Sequence, residues 1–282
     1  MSFLLAWLLL APGAPGAVVV MPVANMYSGP TEDTDIVSQA ICGTSVVVLE
    51  EKDEWVKVRT PDAYPGWMPL KSLRRYGPDD HPYASSAKAV QVVSLSANVY
   101  REPDVTKHQP VLTLPFEARL AVAAETENDG GRWIEVRLPE GRSAWIQRGD
   151  VDSNPRPLSV KETIELAKRF LGCTYLWGGT SSFGFDCSGF VQMLVRRRGT
   201  VLPRDADLQA GWEGIKPVKR NQLRAGDLLY FGESPQEITH TGMYIGHGKF
   251  IHDTTNEHPG VQTSRLADQP WTKLLVACRR VK

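Results

Sequence analysis

The sequence predicts a multidomain chain of two small all-β barrels followed by an α+β domain, on three observations. First, the opening half repeats itself. Ala24-Asn25-Met26-Tyr27-Ser28-Gly29-Pro30 recurs as Ala97-Asn98-Val99-Tyr100-Arg101-Glu102-Pro103, Trp55-Val56-Lys57-Val58-Arg59 as Trp133-Ile134-Glu135-Val136-Arg137, and Trp67-Met68 as Trp145-Ile146. Second, each repeat is about 60 residues of short β-type runs broken by Pro, Gly and Asp. Third, helical periodicity sets in after Pro157 and is followed by further β-type runs, helices first and a mostly antiparallel sheet after.

Along the chain, Phe3 to Leu10 are almost entirely apolar and are followed by small residues and prolines through Ala17. Residues 1–16 therefore read as an export signal, which would place the protein in the periplasm or outside the cell. No Lys or Arg precedes Lys52, so the basic start of such a signal is missing, and a cytoplasmic location is the alternative. The stretch is too short to span a bilayer, and no other segment qualifies. The two barrels are expected over 17–77 and 88–153, with Trp55 and Trp133 in their cores. Polar, proline-containing joints run from Gly77 to Pro82 and from Asp152 to Pro157.

The last domain, 157–282, opens on a capping box, Ser159-Val160-Lys161-Glu162, and an apolar stripe through Ile164, Ala167, Phe170 and Leu171. A second helix carries Phe190, Val191, Leu194 and Val195, closes on Arg196 to Arg198 and can end at Gly199. Strands follow at Asp227–Phe231, His240–Ile245, Lys249–Asp253 and Leu274–Cys278.

Composition excludes several functions. The 32 basic and 32 acidic residues cancel, so no net field draws the chain to nucleic acid or to an anionic surface. Four cysteines without a CxxC pair argue against a disulfide framework and a structural zinc site. No metal or cofactor is expected, and nothing in the sequence calls for more than a monomer.

Cys187 stands at the start of the second helix, where unpaired amides and the helix dipole favour a thiolate and are expected to lower its pKa. Cys42, Cys173 and Cys278 read as small buried hydrophobes. Asp186 and Ser188 are poor neighbours for a cysteine that merely fills a core, so Cys187 reads as a nucleophile awaiting a base. In His240-Thr241-Gly242-Met243-Tyr244, period two puts His240, Gly242 and Tyr244 on one face. Gly246-His247-Gly248 makes a tight turn, and the returning strand brings His252 opposite Gly242, within reach of His240. A Cys-His pair needs such an orienting neighbour. Metal ligation by the histidines is the alternative, with no Cys or carboxylate at metal-site spacing to complete it. Asp227 is expected to hold a turn or strand start.

Two resemblances follow from these residues. The small-Asn-x-Tyr-x-x-Pro opening and the late Trp strand of each repeat resemble bacterial SH3-like domains. Tyr175-x-Trp177-Gly178-Gly179, Asp186-Cys187-Ser188-Gly189-Phe190, Arg224-Ala225-Gly226-Asp227-Leu228, His240-x-Gly242-x-Tyr244 and His252, in that order, resemble the NlpC/P60 cell-wall cysteine peptidases over about residues 158–281. The resemblance implies a papain-like catalytic core with Cys187 as nucleophile, His240 as base and His252 as the orienting residue. With two SH3-like domains ahead of it, it implies cleavage of peptidoglycan stem peptides between γ-D-Glu and meso-diaminopimelate or L-Lys, with release of L-Ala-γ-D-Glu. Tyr175 would assist the oxyanion, Asp186 and Ser188 would hold the free L-Ala amine and its amide, and Arg204 with Asp205 would line the cleft, Arg204 meeting a substrate carboxylate or, as the alternative, the pair forming an ordinary salt bridge. Trp177 would wall the cleft or simply pack. Glu32 and Tyr64 of the first barrel would close one end. The competing functions are a broader wall endopeptidase or amidase anchored by the barrels, and a non-catalytic wall-binding protein.

Overall fold

The period-two alternation of the first half becomes strands. In the computed structural model, which describes residues 16–85, 88–124, 131–256 and 258–282, the chain divides into two compact units with the boundary between Pro155 and Arg156. The expected export signal lies outside the described residues except for Gly16. In the first unit, β1 (Gly16–Val19), β2 (Val23–Tyr27), β3 (Ile36–Ile41), β4 (Ser45–Lys52), β5 (Trp55–Arg59), β6 (Pro65–Pro69) and β7 (Leu73–Arg75) form one sheet in the order β3-β2-β6-β5-β4-β1-β7. Then β8 (Ala89–Val92), β9 (Ser96–Tyr100), β10 (Leu112–Pro115), β11 (Arg119–Ala124), β12 (Trp133–Arg137), β13 (Ser143–Gln147) and β14 (Val151–Asp152) repeat that order, shifted by seven.

Each sheet has its own core, because alternate residues of neighbouring strands turn inward together. Val46, Val56, Val58 and Met68 meet Ala17, Val19 and Met26 in the first; Leu120, Ile134, Val136 and Ile146 meet Val90 and Val99 in the second. The sequence repeat is also a repeat of contacts. Tyr27 meets Trp55 edge-on at 5.4 Å and Tyr100 meets Trp133 edge-on at 5.5 Å. Trp133 is buried as expected, whereas Trp55 is only half-buried. The two sheets touch: Cys42 enters the second core, and the Tyr83 hydroxyl donates to the Arg137 carbonyl at 2.5 Å.

In the second unit the capping box closes as the sequence requires. Ser159 accepts from the Glu162 amide while the Glu162 carboxylate accepts from the Ser159 amide, starting α1 (Val160–Arg169). A short hairpin, β15 (Thr180–Ser181) and β16 (Gly184–Phe185), leads into α2 (Cys187–Arg196). Phe170, Phe185 and Phe190 stack edge-on, Phe185 at 5.4 Å from Phe170 and 5.5 Å from Phe190, and so tie α1, the hairpin and α2 together. After α3 (Ala206–Gly211) come β17 (Ile215–Pro217), β18 (Leu228–Gly232), β19 (Ile238–Gly246), β20 (Lys249–Thr254), β21 (Gly260–Arg265), α4 (Trp271–Leu274) and β22 (Leu275–Val281). The sheet runs β17-β22-β18-β19-β20-β21 and is antiparallel throughout. The apolar stripe of α2 is fully buried and packs on β19 and β20, which brings Cys187 to the strands that carry the histidines. Asp227 holds a turn and an ion pair: its carboxylate accepts from the Arg224 amide at 2.7 Å and from Arg280 Nε at 2.6 Å. Among the described residues no helix is long and apolar enough to cross a membrane.

Candidate active site

Cys187 is the first residue of α2 because Asp186 caps that helix, extended at φ −102° and ψ 179° and accepting from the Gly189 amide at 2.7 Å. The helix can begin there only because residue 189 has no side chain. A Cβ at Gly189 would sit 2.1 Å from the Gly179 carbonyl oxygen. The Gly178-Gly179 stretch therefore packs directly on the first turn, and the Gly178 amide donates to Asp186 Oδ2 at 3.0 Å.

Asp186 is thereby committed to the scaffold. Oδ1 accepts from the Ser188 hydroxyl at 3.2 Å and from Arg204 Nη1 at 3.1 Å, and Oδ2 accepts from Arg204 Nη2 at 2.6 Å. Arg204 also donates to the Ser188 hydroxyl at 2.8 Å. All three side chains are buried, Arg204 to 2% exposure. Both Asp186 oxygens thus accept from protein donors, and the carboxylate that Arg204 meets within the chain is that of Asp186. A pair of this kind, taken out of water, is stable only while both partners remain. Gln209, not singled out in the sequence, pins the same segment: its Nε2 donates to the Ser188 carbonyl at 3.1 Å and the Pro203 carbonyl at 3.0 Å. Asp205 is half-buried at the start of α3.

On the facing sheet, His240 Nε2 and His252 Nδ1 are 2.7 Å apart, and His252 Nε2 is 3.0 Å from the Ser264 hydroxyl. The hairpin register predicted for the two histidines is what brings the rings together. It depends on Gly242, where a Cβ would meet the His252 Cβ at 3.0 Å and the Phe250 ring at 2.9 Å. Trp271 of α4 lies edge-on to His252 at 4.7 Å and tilted over His240 at 5.1 Å. Neither Ser264 nor Trp271 was found from the sequence. Ser264 had a signal, since it alternates with Gln262 along a strand beside His252; Trp271 had none, being fixed by a one-turn helix after the last loop.

The electrostatics reverse the expectation for the thiol. Burial pushes Cys187 up to about 12, and the adjacent Asp186 carboxylate adds to the rise; amide hydrogen bonds from Thr241 and Ser188 and the Arg204 charge oppose it. The helix start is real, but the carboxylate that caps it and the loss of water outweigh its dipole. Burial lowers His240 to about 4, against the pull of Asp186, and holds His252 well below its ordinary value. Both shifts favour the neutral forms, a thiol at Cys187 and an imidazole at His240. The Thr241 amide at Sγ fixes the thiol against β19, one residue from His240.

Tyr175 is half-buried, bridged to Phe185, and its hydroxyl is pushed up by burial and by the charges of Cys187, Asp186 and Asp253, so it keeps its proton. Trp177 is 69% exposed, which rules out the packing role weighed for it. Glu32, exposed between β2 and β3, and Tyr64, packed on the first core beside β6, belong to the other unit. Among the described residues no group of three His, Cys, Asp or Glu could hold a metal ion.

Comparison with known proteins agrees with this geometry. The NlpC/P60 family model matches residues 172–280, and the model of a bacterial dipeptidyl-peptidase SH3 domain matches 26–73. A gamma-D-glutamyl-L-lysine dipeptidyl-peptidase of Bacillus cereus is 33% identical over 80% of this chain and 70% of its own length. A Bacillus subtilis protein of the same name is 31% identical over 88% of this chain and 82% of its own. The crystal structure of an NlpC/P60 family protein from Bacillus cereus superposes with a TM-score of 0.80 at 26% identity, covering 94% of this chain and 99% of that one. With its cysteine at a capped helix start and its histidine pair on the facing strands, the chain belongs to the NlpC/P60 family of cysteine peptidases and carries an SH3-like domain ahead of the catalytic one.

Proposed function

We propose that the protein hydrolyses the bond between γ-D-Glu and the L-diamino acid of peptidoglycan stem peptides that begin with free L-Ala, releasing L-Ala-γ-D-Glu. The observation that carries this is the Cys187, His240, His252 and Ser264 arrangement, in a chain matched along both halves by relatives named for γ-D-glutamyl-L-lysine cleavage. Residues 88–153 are a second SH3-like domain in this reading, supported by the repeated strand order and the repeated Tyr–Trp contact.

The hydrogen bonds of the two histidines support one direction for the chemistry. His240 Nε2 is engaged with His252, so Nδ1 must be its basic nitrogen. That holds when His240 carries its proton on Nε2 and donates to His252 Nδ1, and His252 donates from Nε2 to Ser264. Sγ of Cys187 then attacks the γ-carbonyl carbon as its proton passes to His240 Nδ1. The oxyanion is met by the Cys187 backbone amide and the Tyr175 hydroxyl. Collapse expels the diamino-acid amine, which takes the proton from His240 and leaves a thioester. Water attacks the thioester with His240 again as base, and L-Ala-γ-D-Glu departs. Asp186 and Ser188, on either side of the nucleophile, are assigned to the L-Ala ammonium and its amide, and Trp177 offers an exposed aromatic face to the substrate. Export to the wall, supported by the apolar run of residues 3–10, fits this substrate.

The test is digestion of L-Ala-γ-D-Glu-meso-diaminopimelate, its L-Lys counterpart and their N-acetylated forms, read by mass spectrometry with wild type and Cys187→Ala. Release of L-Ala-γ-D-Glu from the free-amine peptides alone, and by wild type alone, is expected. Equal cleavage of the acetylated forms would replace this assignment with a broader wall endopeptidase.

A further inference from the structure

The turn joining β19 to β20 opens onto a cavity of about 310 Å³, lined by Arg220, Leu223, Tyr244, His247, Arg265 and Leu266. Tyr244 is four residues along β19 from His240, about 13 Å at the rise of a strand, so the cavity is separate from the thiol and its base. Its wall is cationic without compensation. Among the described residues no carboxylate forms an ion pair with Arg220, His247 or Arg265. Arg220 is oriented by neutral acceptors, its Nη2 donating to the Leu266 carbonyl at 3.1 Å and the Thr272 hydroxyl at 3.4 Å.

Two local features are unfavourable unless something balances them. Arg265 stands directly opposite Lys249 in the β20–β21 ladder, and like charges so placed repel. His247 holds φ at 51°, the left-handed region that costs a residue with a Cβ, although glycines flank it and would fill that place without strain. Both features gather positive charge and a ring nitrogen at the mouth of one cavity, in a chain whose total charge is zero. Tyr244 adds a polar handle: its hydroxyl accepts from the Gly248 amide at 3.0 Å and retains its own proton to donate.

We propose that this cavity binds a compact polyanion, its oxygens clustered as in a phosphate or a small polycarboxylate. The forks of Arg220 and Arg265 supply paired N–H donors that match such oxygens, and His247 and the Tyr244 hydroxyl complete the ring. The volume lies at the small end of ligand sites, which suits one such group with a small body rather than a length of polymer.

The experiment is calorimetric titration of the full chain with inorganic phosphate, with a sugar phosphate and with citrate, at constant ionic strength. Saturable one-to-one binding of at least one is expected, weakened tenfold or more in Arg220→Ala/Arg265→Ala, while hydrolysis of the stem peptide is unchanged. Binding of the phosphates alone would identify a phosphoryl ligand, and of citrate alone a polycarboxylate. If the double variant fails to fold, Arg265→Gln serves, because among the described residues that side chain makes no hydrogen bond; several-fold weakening is expected. Absence of saturable binding of all three, or affinity unchanged by these substitutions, would overturn the proposal.

Discussion

His240 Nε2 lies 2.7 Å from His252 Nδ1, and in the proposed mechanism the proton between them leaves Nδ1 of His240 to act as base. Ser264, 3.0 Å from the far nitrogen of His252, would hold that arrangement by accepting there. A neutral hydrogen bond of this kind contributes about 1 kcal/mol, so Ser264→Ala is expected to lower kcat roughly five-fold with KM little changed. His252→Ala removes the orienting ring itself and is expected to lower kcat by about a hundred-fold or more. Steady-state kinetics on the free-amine tripeptide checks both. A Ser264→Ala enzyme slower than His252→Ala would reverse the assigned order of support.

The base must be neutral to accept the thiol proton. Because burial lowers His240 to about 4, its neutral form persists well below the pH at which an exposed histidine would charge. The acid limb of kcat/KM, which reports the free enzyme, is accordingly expected near pH 4, with no loss between pH 5.5 and 7. A limb centred above pH 6 would mean that water reaches His240 in the working protein.

Both histidines were legible in the sequence because a tight turn at Gly246-His247-Gly248 limits the strand register; in the structure Gly246 pairs Lys249 and a shift between Tyr244 and Gly246 restores the register that puts His252 beside His240. The helix start at Cys187 was legible for a similar reason, in the acidic cap ahead of it and the apolar stripe behind. The pairing around Cys187 was not legible. Asp186 and Arg204 are separated by a helix and a loop, and only tertiary packing shows that they are each other's partners. The thiol's raised pKa escaped for the same cause: a dipole follows from helix position, but burial does not.

The Asp186–Arg204 pair makes a sharp stability prediction. Removing one partner leaves the other charged, buried and unpaired, which costs about 3 to 5 kcal/mol. Arg204→Ala is expected to lose most of that in urea unfolding. Arg204→Lys is expected to recover only part of it, since a single ammonium cannot reproduce contacts to Oδ1, Oδ2 and the Ser188 hydroxyl together. Full recovery by lysine would show that charge alone, without the fork, holds the segment.

Asp253, next to His252 on β20, makes the last prediction. It is fully buried, both its carboxylate oxygens lack a hydrogen-bond partner among the described residues, and Tyr175, Cys173 and Asp186 lie within its electrostatic reach. Burial first, then the Asp186 charge, raise its pKa from 3.8 to about 8. The sign follows directly. The folded protein holds this proton where the unfolded chain has lost it, so the contribution to stability is fully present below pH 4. It declines as the pH rises through about 8, by on the order of 5 kcal/mol over the window. Asp253→Asn keeps the shape of the protonated acid and cannot ionise. Its thermal midpoint is expected to exceed that of wild type by more at pH 8 than at pH 5. Equal shifts at the two pH values would mean that the carboxylate finds donors in solution and that residue 253 is charged in the folded state.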